Sequence, residues 1–160
     1  MPQTASGTLG ATLYVAAIPL VDVFTAADNI TDFHSLMYTQ VGLVENLGEF
    51  GRQSELVTFV DISSARTLKI RGPYNDGQMQ MTMAYDLSDA GQTILFDAAN
   101  AINQATYPFK IVLVGVNAYF DTIYFGAKVF SYRIQAGAAN SVLRALCTLE
   151  VNTQVFVGDS

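Results

Sequence analysis

The stretch "QMQMTMAYDLSDAGQ", residues 78 to 92, changes its periodicity halfway along. Met79, Met81, Met83 and Tyr85 alternate with Gln80, Thr82 and Ala84, the period-two pattern of a strand with one covered face, and beyond Asp86 the spacing becomes helical. Ala90, Ile94, Leu95, Ala98 and Ile102 recur every three or four residues, while Gln92, Asp97, Asn100 and Asn103 lie elsewhere on the cylinder. The spacing predicts one amphipathic helix of about four turns lying on a sheet. Asp86, Ser88 and Asp89 all offer an oxygen to the free amides of its first turn, and any of them could be the cap. No other segment shows a convincing helical stripe, so a β-rich chain has to accommodate a single helix.

The remaining segments read as strands and turns. "ATLYVAA" is a first strand, and Pro19 to Ser35 carries turn signals without a pattern, which suggests a long loop making contacts. "SLMYTQVGLVENLGEFG" starts as a strand and is punctuated by Gly42, Gly48 and Gly51, where bulges or sharp turns cost least. "ELVTFVD" is apolar on both faces, which predicts a central strand covered on two sides; "RTLKIRG" alternates, with Leu68 and Ile70 expected inward and Lys69 and Arg71 outward. "NDG" at 75 to 77 suits a tight connection into the methionine strand. "NAYFDTIYFGAKVFSYRIQAG" is long enough for two strands or for one bent near Gly126, with Phe130, Tyr132 and Ile134 facing one way, and "LRALCTLEV" and "TQVFVG" complete the chain. The expected fold is mainly β: a sandwich or barrel of about eight strands with one flanking helix, a single domain over 1–160 with residues 1–10 as a flexible arm.

Only 14% of the residues are charged and 51% are hydrophobic, against roughly 25% charged in an average globular protein. Some of that apolar surface is expected to be covered by copies of the chain. The net charge is −6, and five acids but no base occur before Arg52, so a protein that grips nucleic acid through clustered cations is not expected. No apolar run approaches the roughly 18 residues that cross a bilayer, and the start has no cationic leader, so the chain is expected to stay in the cytosol where it is made.

The residue types for catalysis are sparse. His34 is the single histidine, which leaves His-based triads and metal sites without their members. Cys147 shares a strand face with Ala145 and Leu149 and reads as a small buried hydrophobe, with Arg144 pointing the other way. The Asp86/Asp89 pair is explained by capping, the Glu45/Glu49 pair sits among glycines, and no glycine loop with a lysine precedes a helix. Neither an enzyme nor a cofactor site is expected.

"TLYVAAIP", "YTQVGLVENLGEFG", "ELVTFVD", "RTLKIRGPYNDGQMQMTMAYDLSDAGQ" and the closing strands together resemble the tail tube proteins of long-tailed bacteriophages over nearly the whole chain. The more specific elements are "GEFG" (Gly48 to Gly51), "KIRG" (Lys69 to Gly72) followed by Asp76 and Gly77, and "DxxDAGQ" (Asp86 to Gln92). The resemblance implies rings, usually of six copies, stacked into a hollow tube through which viral DNA leaves. It also implies other tail proteins as partners (tape measure, terminator and distal tail proteins), a place in the virion tail after assembly in the host cytoplasm, and no membrane insertion. An anionic channel lining would fit that role, since it repels a duplex. Candidate subunit contacts are Glu45, Glu49, Phe50, Arg52, Lys69, Arg71, Tyr74 and Asp76. A tube of type VI secretion type and a monomeric, lipocalin-type ligand barrel are the alternatives.

Overall fold

The computed structural model describes residues 9–20, 30–114 and 120–158. Most of the proposed N-terminal arm and part of the Pro19 to Ser35 loop lie outside them. In chain order the elements are β1 (Thr12–Val15), α1 (Ile30–His34), β2 (Thr39–Val41), β3 (Val44–Asn46), β4 (Gln53–Asp61), β5 (Arg66–Asn75), β6 (Gln78–Ala84), α2 (Ala90–Asn100), β7 (Tyr107–Val114), β8 (Phe120–Gln135), β9 (Arg144–Val151) and β10 (Phe156–Gly158). Eight strands form one sheet in the order β2-β1-β7-β8-β9-β6-β3, with β10 also on β8; β4 and β5 pair only with each other. The chain is mainly β, as its alternating pattern predicts.

β8 joins the two halves of the sheet. Its first part, through Ala127, pairs with β7, and from Ala127 onward it pairs with β9, so Ala127 faces both Tyr107 and Val151. Beside it the neighbouring chain changes from β9 to β10: the Gly126 carbonyl accepts from the Asn152 and Thr153 amides, and the Thr153 hydroxyl accepts from the Gly126 amide at 2.7 Å. The strand is therefore continuous at Gly126, where a break seemed natural from the sequence. The irregularity falls between Val129 and Ser131, making Phe130 the extra residue of a bulge. Phe130 is exposed, whereas Tyr132 packs on the core, so the expected common face of Phe130, Tyr132 and Ile134 does not form.

The main core lies on one side of the sheet, and a smaller cluster around Tyr124 lies on the other. Met79, Met81 and Met83 are buried as their alternation predicts, facing Leu149, Cys147 and Ala145 across β9, with Phe109 and Phe125 stacked 5.5 Å apart farther along. Burial pushes the Cys147 thiol up to about 12, which agrees with a small hydrophobe and not with a nucleophile. A second cluster brings Phe33 of α1 against Tyr124 and Phe156, giving the loop region before Ser35 a short helix that its weak pattern did not reveal.

α2 rests on β1, β2 and β8. Asp89 is its cap, accepting from the Gln92 amide at 2.9 Å and also from the Gly42 amide at 3.1 Å. The helix stops at Asn100, so it is shorter than expected, and Ile102 lies beyond it, 98% exposed, outside the apolar stripe. Gln92, assigned to the polar side by spacing, is fully buried. Its side-chain oxygen accepts from the Asp86 amide and the Tyr132 hydroxyl, both at 3.0 Å, and its side-chain nitrogen donates to the Gly42 and Ala84 carbonyls at 3.0 and 2.8 Å. One amide thus ties together the helix start, the end of β6, the β2–β3 turn and β8.

Gly91 allows this close docking. A Cβ there would meet the Gln40 carbonyl and stand 2.6 Å from Val41 Cα, both backbone atoms of β2. Alanine would gain up to about 1 kcal/mol of helix propensity, but forcing the helix off β2 costs about 1–3 kcal/mol. The steric cost wins, and Gly91→Ala is expected to lower the denaturation midpoint in urea. A raised midpoint would show that the helix is not pressed against β2.

Candidate assembly surfaces

The β4–β5 ribbon stands apart from the sheet. The expectation that "ELVTFVD" is a doubly covered central strand is wrong, and so is the inward placement of Leu68 and Ile70. Leu56, Val57, Phe59, Val60, Leu68 and Ile70 are 44–65% exposed. Two apolar runs separated by a short turn found each other locally, and no third strand among the described residues joins them. The "NDG" segment is the tight connection expected, carrying the chain from the ribbon into β6 although β5 and β6 do not pair, with the Gly77 amide donating to the Asn75 side chain and the Gly77 carbonyl accepting from the Val151 amide.

The pairing register sorts the ribbon's side chains. Val57 lies opposite Ile70 and Phe59 opposite Leu68, giving one apolar face, while Leu56 opposite Arg71, Thr58 opposite Lys69 and Val60 opposite Thr67 give a mixed, cationic face. At the tip, the Asp61 carboxylate accepts from the Ser64 hydroxyl at 2.7 Å and from the Ser63 amide and hydroxyl, and these bonds, Ser64's first, hold its pKa below the usual carboxylate range. At the base, Arg52 donates to Asp76 at 3.1 Å and lies 4.0 Å from the centre of the Tyr74 ring, while Arg71 donates to Ser54 Oγ at 2.7 Å. Just above the base a register shift falls where Gly72 packs on Val57, and Pro73 is tolerated because that edge has no partner strand among the described residues.

The structure therefore brings five of the eight candidate contact residues, Arg52, Lys69, Arg71, Tyr74 and Asp76, onto the ribbon and its root. The other three lie elsewhere. Phe50 is half-buried and stacks on Phe125 at 5.7 Å. Glu45 is ion-paired with Arg144 at 2.6 Å, which lowers the pKa of the acid and raises that of the base. Glu49 lies beside Gln78 and Gln80. The apolar ribbon residues were missed as surface because the sequence shows that two strands pair and does not show whether a core waits for them.

The sheet also has open margins. Among the described residues β2 pairs only with β1 and β3 only with β6, and β8 from Lys128 to Gln135 has no strand on its edge opposite β9. The margins of β3 and β8 differ from each other, so a contact between those two is head-to-tail. Among the described residues no group of three or more His, Cys, Asp and Glu could hold a metal, and no helix is long and apolar enough to cross a membrane. His34 packs its ring 5.1 Å from that of Tyr124.

This fold is shared with chains of contractile injection systems and with a phage tail tube. A chain of the anti-feeding prophage baseplate, 6-fold symmetrised, superposes with a TM-score of 0.69 at 11% identity, covering 99% of this chain and 96% of that one. A chain of the sheath-tube complex of the extracellular contractile injection system PVC, in its extended state, gives 0.62 at 16% identity, with 98% and 93% covered. The SPP1 tail tube gives 0.57 at 18% identity, with 96% and 80% covered. No protein-family model matches the sequence. No curated protein matches it either.

Proposed function

We propose that this chain is a structural, non-catalytic subunit whose copies close into rings, six to a ring, that stack into a hollow tube conducting viral DNA from a phage tail. Tape measure, terminator and distal tail proteins are its further partners, and the tail is its location. The observation that carries this reading is the pairing of two open, dissimilar sheet margins with an exposed apolar ribbon. Joining β3 of one copy to the free stretch of β8 in the next satisfies backbone groups that otherwise face water, and closing the ring removes both of those edges. The ribbon then needs a surface of its own. A lone two-stranded hairpin is marginal in water, and completing the burial of each half-exposed large side chain adds about half of the roughly 1.5–3 kcal/mol that full burial gives. A neighbouring copy supplies that surface.

The similarity in fold to tube chains of injection particles and of a phage tail supports the same reading. A monomeric ligand barrel finds less support, because Met79, Met81, Phe109, Phe125 and Leu95 fill the covered side of the sheet. Negative-stain micrographs of concentrated protein, with sedimentation alongside, test the proposal: rings or hollow filaments are expected. Solitary particles at every concentration would overturn it.

A further inference from the structure

In the four-stranded part of the sheet, β8-β9-β6-β3, the face opposite the core is open and polar. Gln80 and Thr82 of β6 and Thr148 of β9 lie on it, alternating with buried neighbours, and Ser131 of β8 stands opposite Thr148. Its ionised side chains are evenly divided. Lys128 lies across from Glu150, which accepts from the Gln78 side chain; Arg144 is paired with Glu45; Arg133 stands opposite Leu146 on the same face, and Glu49 borders Gln78 and Gln80. Three bases meet three acids, although the chain as a whole carries −6. The acid excess lies elsewhere.

The placement of this face rests on the ring proposed above. If β3 and the free stretch of β8 join copy to copy, these four strands repeat around a closed wall. Six copies give 24 strands, which at about 4.8 Å spacing and about 40° of tilt make a wall about 48 Å across between backbones, wide enough to enclose water. Among the described residues the main core and α2 lie on one side of these four strands, while α1, on the other face, sits over Tyr124 of β8, outside the four-stranded part; the bulk over these strands therefore fits on the outer side of the curve. We infer that the open face lines the channel and that the lining is charge-balanced and rich in amides and hydroxyls, so that a polyanion in transit is neither repelled nor held. The anionic lining expected from overall composition is replaced by a neutral one.

Thiol labelling of assembled tubes tests this. Gln80→Cys and, separately, Thr148→Cys put a reactive group on the face, and buried Cys147 stays silent. In tubes verified by electron microscopy, the introduced thiol is expected to react with small maleimides and to be shielded from a maleimide on a bulky protein carrier. Cationic and anionic maleimides of equal size should react at rates within about two-fold at low salt, whereas a single-sign wall concentrates the opposite ion by about tenfold or more. Adding Arg133→Glu should then favour the cationic reagent. Labelling by the carrier, a tenfold preference in the parent tubes, or loss of assembly in both cysteine variants while wild type assembles would overturn the inference. Failure of the wild-type chain to form rings or tubes would instead overturn the ring reading beneath it.

Discussion

Replacing Gln92 with leucine is expected to destabilise the subunit by about 3–5 kcal/mol, more than any other single change considered. Leucine matches the volume but leaves the Asp86 amide, the Tyr132 hydroxyl and the Gly42 and Ala84 carbonyls without their partner in a covered site. Each buried group left unsatisfied costs about 1–3 kcal/mol, less where water can reach it. The Tyr132 hydroxyl, whose phenol burial pushes up to about 12, loses its acceptor in the variant. In the variant, a urea midpoint shifted by the equivalent of less than 1 kcal/mol would show that water replaces the amide. Gln92→Glu separates the contributions: the protonated acid keeps the two acceptor bonds and one donation, so below its own pKa it is expected to fall between wild type and leucine, and above it the carboxylate loses both donations and is worse.

The second large effect concerns assembly and leaves the fold intact. Phe59→Asp combined with Leu68→Asp puts two like charges directly opposite each other on the apolar face of the ribbon. These residues touch no core, so the monomer is expected to keep its near-ultraviolet dichroism and to lose little stability. Rings and filaments should disappear at concentrations where wild type forms them, because the face now repels an apolar surface and buries unpaired charge. Arg52→Glu addresses the root of the same ribbon, since it breaks the bond to Asp76 and the contact with the Tyr74 ring. Unchanged tube length and abundance in either variant would show that the ribbon is not an assembly contact.

What the sequence revealed followed from physical range. The methionine strand, the buried face of β9 and the helix after Asp86 were legible because alternation and capping are local signals. The ribbon was misread for a definite reason: two-sided apolarity tells that a strand will be covered and not whether its own chain does the covering. Gln92 was misplaced because a period of 3.6 ranks side chains by polarity, and a buried amide with four partners breaks that ranking only once β8 and the β2–β3 turn are in position. Ile102 continued the stripe numerically after the helix had ended. The bulge at Phe130 left no sequence mark comparable to Gly126, and the glycine served close packing against Thr153, Leu20 and Thr106 instead of a bend.

The handover at Ala127 has a mechanical consequence. Because one uninterrupted strand serves both halves of the sheet, a slip of one residue on its β9 side would turn every side chain after it to the opposite surface, and the same displacement would pull the Phe109–Phe125 stack apart. Such a slip is prohibitive, so the two halves move as one stiff piece. Any bending of a long filament built from these units is thereby confined to the joints between copies.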